Sequence, residues 1–445
     1  MKATVQPNII FIVADDLGFA DLGCYGARPA RFGAVSPVLD QLAARGMKFT
    51  QGYANSPVCS PTRFALMTAR YQYRLRGAAE EPINSKSRGS TILGLPPRHP
   101  TLPSLLRDSG YRTALIGKWH LGYPPAFGPL RSGYDEFFGP MSGGVDYFTH
   151  CSSNGTHDLW FGEEERREEG YLTDLISKRA VDYVDRMAAG QKDGAAPFFL
   201  SLHYTAPHWP WETRDDEALA QEVKDNLFHL HGGNIHSYHR MIHHMDEGIG
   251  WVMDALRRHG LEGNTLVVFT SDNGGERFSD NWPLVGGKMD LTEGGIRVPW
   301  IAHWPAMIRP GGVSEQQCMT MDWSATMLDA AGAQANPAYP LDGASLMPVL
   351  RDPAATFPRA LHWRMNHRGQ RALRDGDWKY LRVDGHDYLF NIPSDERERA
   401  NLASREPQRL AGLRDAWEAW NTTMPPIPED ATVSLGYSVR DMPQR

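Results

Sequence analysis

Two short polar pairs, each directly after an apolar run, are the first residues able to do chemistry. Asp15, Asp16 and Asp272 offer hard anionic oxygens and Asn273 a neutral one. That donor set suits Ca²⁺ or Mg²⁺ better than a thiophilic metal. Either pair alone reads as a solvated turn or helix cap, whereas two such pairs at strand ends make a candidate metal site. The segment Cys59-Ser60-Pro61-Thr62-Arg63 puts a thiol at the start of a predicted helix whose first turn tolerates Pro61. By itself it reads equally well as a small buried cysteine. His120 and His208 titrate near neutrality and suit proton transfer. Arg63, Lys118 and Lys288 are the cations available to neutralise anionic oxygens, although surface charge is the default role of a lysine.

The surrounding pattern supplies elements to position these groups. Residues 8–14 form a continuous β-rich apolar run, as expected of a parallel-sheet strand buried on both faces. Further strands are predicted at 112–116, 197–203 and 265–270, each closing on a polar cluster. Helices are predicted at 37–45, 62–70, 102–109, 171–189 and 229–259. Functional groups then gather at strand carboxyl ends, where open α/β sheets bind ligands. Residues 76–100, rich in Gly, Ser and Pro, read as a long surface loop, and 133–170 as a loop region facing the site. Past residue 353, short strands at 372–374, 378–383 and 388–391 and a helix at 407–420 imply a small antiparallel sheet with a terminal helix. The tail past residue 423 reads as irregular. The expected organisation is a catalytic α/β domain over 1–352 and a small α+β domain over 353–445.

At 445 residues, 41% hydrophobic and 22% charged, the chain is long enough to bury a large core. A formal charge of -7 without a basic run argues against nucleic-acid binding. The four cysteines, Cys24, Cys59, Cys151 and Cys318, show neither zinc-site nor disulfide-scaffold spacing. No stretch approaches membrane-spanning length and no targeting segment is visible, so the expectation is a cytoplasmic protein, or a periplasmic one had a leader been removed. Oligomeric state is open.

The segment Cys59-x-Pro-x-Arg63 resembles the signature of the formylglycine-dependent sulfatases, in which the cysteine is oxidised after translation. The stretches 14–18, 117–122, 206–210, 271–274, 287–288 and 293–299 resemble blocks of the same family in the same order, and 373–380 with 389–391 extend the resemblance into the C-terminal region. It implies the alkaline-phosphatase-like α/β/α sandwich with a small C-terminal antiparallel sheet plus helix. It also implies a calcium ion, with magnesium as the other candidate, on Asp15, Asp16, Asp272, Asn273 and the modified Cys59. By the same resemblance Arg63 steadies the formylglycine and Lys118 and Lys288 hold sulfate oxygens. His208 serves the departing alcohol, and His120 assists release of sulfate. The implied reaction is attack on sulfur by one hydroxyl of hydrated formylglycine, with Asp272 near enough to take its proton, followed by expulsion of sulfate. A formylglycine-generating enzyme is then a partner during maturation, and the substrate is a small-molecule or saccharide sulfate ester.

Two other readings stay open at this stage. A phosphonate or phosphodiester hydrolase would use the same groups, and a non-catalytic binder of sulfated ligands would leave Cys59 unoxidised. His229, His231, His236, His239, His243 and His244 crowd one predicted helix, but without the Glu of a zinc-protease pattern they are read as packing beside the sheet. The charge run 163–169 is read as a solvated loop or helix face, and Trp209, beside His208, as either pocket or core.

Overall fold

The computed structural model describes residues 6–26, 33–191, 196–223 and 232–434. Its main sheet is built from β1 (Asn8–Ala14), β2 (Met47–Phe49), β4 (Arg112–Gly117), β5 (Glu136–Gly139), β6 (Trp160–Phe161), β7 (Glu164–Glu165), β8 (Phe198–His203), β9 (Thr265–Ser271), β10 (Trp300–His303) and β11 (Gly312–Ser314). Two short strands, β3 (Gly52–Tyr53) and β12 (Cys318–Met319), pair beside it. The order across the sheet is β11-β2-β10-β9-β1-β8-β4-β5-β6-β7. The central strands β9, β1, β8, β4 and β5 are mutually parallel, so their carboxyl ends share one edge.

β1 shows why the layers form. Its alternate residues Ile9, Phe11 and Val13 enter one apolar cluster, and Ile10, Ile12 and Ala14 the other. A strand apolar on both faces must be covered on both, with about 1.5–3 kcal/mol gained for each large side chain fully buried. Helices Cys59–Thr68, Leu102–Asp108 and Thr320–Ala331 cover the first face. Helices Pro37–Arg45, Leu172–Gln191 and Ile235–Arg258 cover the second. The result is the α/β/α sandwich that the resemblance implies.

The C-terminal sheet, β13 (Leu361–Arg364), β14 (Arg371–Asp375), β15 (Trp378–Val383) and β16 (His386–Asn391), is an antiparallel meander backed by helix Pro407–Asn421. A third cluster joins its Trp363, Leu381 and Phe390 to Val58 and Ala65 of the body. The Trp363 indole donates to the Ala54 carbonyl at 2.9 Å, so the small sheet leans on the segment carrying Cys59.

Several expectations need correction. Residues 76–100 form a surface loop only in part: Lys86, Gly89, Thr91, Ile92 and 96–98 are exposed, but Ala78, Glu80, Ile83 and Leu95 are buried, with Glu81 bridging to Val433 of the C-terminal tail. Residues 133–170 carry β5, β6 and β7, which were not foreseen because they are too short to show a period. The histidine-rich helix begins at Ile235, where Asn234 caps it by accepting from the His236 and Ser237 amides, while His229 and His231 lie outside the described residues. Of the tail, residues 424–434 are irregular as expected, and 435–445 lie outside the described residues. Among the described residues no helix is long and apolar enough to cross a membrane.

Candidate active site

The shared edge of the parallel strands gathers the polar groups. Asp15 and Asp16 leave β1, Asp272 and Asn273 leave β9, Lys118 and His120 leave β4, and His208 follows β8. The turns demand unusual backbone. Gly117 has φ +114, and a Cβ there would sit 1.8 Å from the His203 carbonyl oxygen; glycine alone allows the Lys118 amide to reach that oxygen at 2.8 Å. Asp16 and His120 also adopt left-handed φ values, 64° and 58°.

Cys59 opens helix Cys59–Thr68, every residue of which is buried. The helix's positive end therefore points into the site. Burial pushes the Cys59 thiol up to about 12 even though Lys118 and Lys288 act against it. An unmodified thiol here is neutral at ordinary pH and a weak nucleophile.

Charges interlock beneath it. Arg63 donates from Nε and Nη2 to Asp272 Oδ2 at 3.0 and 2.8 Å, and from Nη1 to the Lys118 carbonyl at 3.1 Å. Lys118 Nζ lies 2.5 Å from Asp15 Oδ2, and Lys288 Nζ 2.7 Å from Asp16 Oδ2 and 3.6 Å from Glu276 Oε2. Burial lifts the Asp15 carboxyl well above its ordinary value; Lys118 opposes this, while Asp272 and Asp16 add repulsion. Burial acts upward on Asp16 too, but Lys288, His208 and Lys118 hold it below the usual carboxylate range.

A metal fits this set. Asp15 Oδ1 and Asn273 Oδ1 are buried oxygens without a hydrogen-bond partner, an arrangement that costs free energy unless a cation meets them. Among the described residues, the His/Cys/Asp/Glu groups able to hold an ion are Asp15 with Asp16 and His208, and Asp15 with Cys59 and Asp272, ligand atoms lying within 4.8 Å of one another in each. The carboxyl groups of buried Asp15, Asp16 and Asp272 and of part-buried Glu276 surround the cations Arg63, Lys118 and Lys288. A divalent ion would turn the pocket positive.

The two histidines are oriented by carbonyls. His120 Nε2 lies 2.7 Å from the Ile83 carbonyl, which can only accept, so the proton sits on Nε2 and Nδ1 keeps its lone pair; Nδ1 is buried without a partner. His208 Nδ1 lies 2.6 Å from the Trp209 carbonyl by the same logic, leaving Nε2 to face Asp16 Oδ2 at 3.6 Å. Burial pushes both imidazoles well below their ordinary value, reinforced by Lys118 at His120 and by Lys288 at His208.

Above this floor opens a cavity of about 180 Å³ whose lining includes Cys59, His120, His208, Lys288, Trp209 and Met289. Of the anticipated residues, those four chemical groups line it. Arg63, Lys118, Asp15, Asp16, Asp272 and Asn273 lie behind the wall, fully buried. Trp209, left open between pocket and core, lines the cavity with its ring 4.3 Å from that of His208. Sequence reasoning missed Glu276, whose signal was its place in the turn after Asp272-Asn273, and missed Ile83, Asn84 and Ser434, which carry no local signal. His239 and His243 stand apart on a helix that buries Tyr238, Met241, Ile242 and Met245 against the sheet.

The family model described as Sulfatase matches residues 7–333. The chain belongs to the sulfatase family. It is 34% identical over 387 residues to N-acetylgalactosamine-6-sulfatase of Sus scrofa, covering 82% of this chain and 70% of that protein. It is 29% identical to arylsulfatase J of Mus musculus, covering 95% of this chain and 77% of the relative. Among solved structures it resembles Ps i-CgsB in complex with k-i-k-neocarrahexaose, with TM-score 0.81, 32% identity and coverage of 93% of this chain and 92% of that one. The sulfatase is thus an enzyme, a sulfuric ester hydrolase of alkaline-phosphatase-like fold.

Proposed function

We propose that this sulfatase hydrolyses sulfate monoesters of saccharides, using formylglycine made from Cys59 and a calcium ion held by Asp15, Asp16, Asp272 and Asn273. The observation that carries the reading is the position of Cys59. It opens a buried helix, lines the cavity, and has ligand atoms of Asp15 and Asp272 within 4.8 Å. Hydrated formylglycine supplies one hydroxyl to attack sulfur and a second whose deprotonation releases sulfate, while the ion supplies Lewis acidity to the sulfate oxygens.

The chain's own groups do the rest. Asp272, its Oδ2 held by Arg63, keeps Oδ1 as proton acceptor beside residue 59. Lys288 lines the cavity and neutralises ester oxygens as they gain charge, with Lys118 adding positive potential from behind Asp15. His208, protonated on both ring nitrogens in the substrate complex, passes the Nε2 proton to the leaving oxygen, and His120 presents the Nδ1 lone pair as the base for sulfate release. Cys59 is only 1% exposed, so its oxidation by a formylglycine-generating enzyme must precede completion of folding. A saccharide fits the wall, where Trp209, Ile83 and Met289 offer apolar surface and Asn84, Ser142 and Ser152 offer hydrogen bonds. The names of the relatives, N-acetylgalactosamine-6-sulfatase and a complex with neocarrahexaose, support the same class.

The test joins peptide mass spectrometry at position 59 with turnover of paired esters. The expected result is an aldehyde at position 59 and sulfate released from sulfated galactose or N-acetylgalactosamine in preference to turnover of aryl phosphonates. Full activity with only unmodified Cys59 overturns the mechanism, and preference for the phosphonate overturns the substrate class.

A further inference from the structure

Residues 431–434 lie against the segment 80–84 although some 350 positions separate them in the chain. The Glu81 amide donates to the Thr432 carbonyl at 2.9 Å, and the Ser434 amide donates to the Glu81 carbonyl at 2.8 Å, with Val433 pairing parallel to Glu81. Side chains add to this. The Thr432 amide reaches Glu80 Oε2 at 3.1 Å, its hydroxyl bonds the same oxygen, and Asn84 Nδ2 donates to Ser434 Oγ at 2.5 Å. Glu80 is held in turn by Arg76 at 2.6 Å.

The gripped segment leads straight to the chemistry. The Ile83 amide donates to the Ser60 hydroxyl at 2.9 Å, next to Cys59, and the Ile83 carbonyl accepts from His120 Nε2 at 2.7 Å. Ile83 is therefore clasped between the helix that carries the nucleophile and the imidazole beside it. Ser434 itself lines the cavity together with Pro82, Ile83 and Asn84.

We infer that residues 431–434 are a positioning strap of the active site, which pins 80–84 in place and through the Ile83 carbonyl sets the orientation of His120. The inference rests on the role proposed for His120. A wall held from only one side would let Ile83 shift, and with it the ring that must present Nδ1 to the reacting group.

The experiment uses the full chain with Ser434→Pro, which removes both the amide bond to Glu81 and the hydroxyl bond to Asn84. Hydrogen exchange at the Ile83 amide is expected to rise by about tenfold or more while the global unfolding midpoint stays near wild type. The kcat for 4-nitrophenyl sulfate is expected to fall by about tenfold or more, with KM changing less than about twofold, as for a group acting on the reaction and not on binding. Thr432→Val, which deletes only the hydroxyl contact to Glu80, should move both readouts the same way by less, and decides the matter if Ser434→Pro does not fold. Wild-type exchange at Ile83 together with wild-type kcat overturns the strap. Exchange is read without turnover, so it judges the strap even in a preparation that releases no sulfate, a result that would sink the functional reading alone.

Discussion

Arg63 holds Asp272 through a single oxygen, Nε and Nη2 converging on Oδ2 at 3.0 and 2.8 Å, with both side chains 1% exposed. The other oxygen is left to accept the Asp16 amide at 3.3 Å, and a carboxylate oxygen of Asp272 lies within 4.8 Å of Cys59 Sγ. On the proposed mechanism the ion pair serves chemistry as well as stability. Arg63→Ala leaves a buried carboxylate without its partner and should cost about 3–5 kcal/mol, seen as a lower urea midpoint. Arg63→Lys keeps the charge but not the fork, so it should lose less stability yet still lose activity. An Arg63→Ala protein as resistant to urea as wild type would contradict this account.

Calcium should stabilise the folded chain, because Asp15 Oδ1 and Asn273 Oδ1 gain a partner that the protein does not supply. At a concentration about 100 times Kd the gain is about 2.7 kcal/mol, a clear rise in Tm. Asn273→Ala and Asp15→Asn should abolish most of that rise. An equal calcium shift in all three proteins would place the ion elsewhere.

Gly143 packs on the His120 ring, where an added Cβ would meet Cε1 at 2.4 Å. Gly143→Ala must therefore move the imidazole. For the base proposed at His120, displacement by a fraction of an ångström lowers kcat by between about tenfold and hundredfold. Steady-state kinetics on a small aryl sulfate, read beside Tm, checks it; unchanged kcat would mean that His120 tolerates the shift.

Asp246 sits within helix Ile235–Arg258 and accepts the Val38 amide at Oδ2 and the Leu39 amide at Oδ1, at 2.9 and 2.8 Å, at the start of helix Pro37–Arg45. Burial lifts its carboxyl from 3.8 to about 7. Between those values the folded chain keeps a proton that the unfolded chain has released. Stability from this group is therefore full below about pH 4, falls as pH rises to about 7 and is level beyond, a change of up to about 4 kcal/mol. Asp246→Asn should flatten that slope in urea titrations across the window, and a slope identical to wild type would assign it to other groups.

The central strands and the residues at their ends were legible in the sequence because a strand buried on both faces is an unbroken apolar run, and its termination in Asp15, Lys118 or Asp272 is a local event. The same holds for helices Pro37–Arg45 and Leu102–Asp108, which announce themselves by period and by proline in the first turn. Short strands such as β5 and β13 were not legible. Four residues carry no period, and what makes them strands is a neighbour supplied by another part of the chain. The burial within residues 76–100 was not legible for a related reason, since Gly, Ser and Pro signal irregular backbone and say nothing about burial.

The sequence alone determined which chemical groups this sulfatase possesses and the strand ends at which they emerge, because residue type and short-range period are local properties. Tertiary structure alone decided what each group holds. It paired Lys118 with Asp15 and Lys288 with Asp16, set the Ile83 carbonyl against His120 Nε2, and brought Ser434 to the cavity wall. Those pairings join positions tens to hundreds of residues apart. They follow from the path of the chain between elements, on which no local pattern bears.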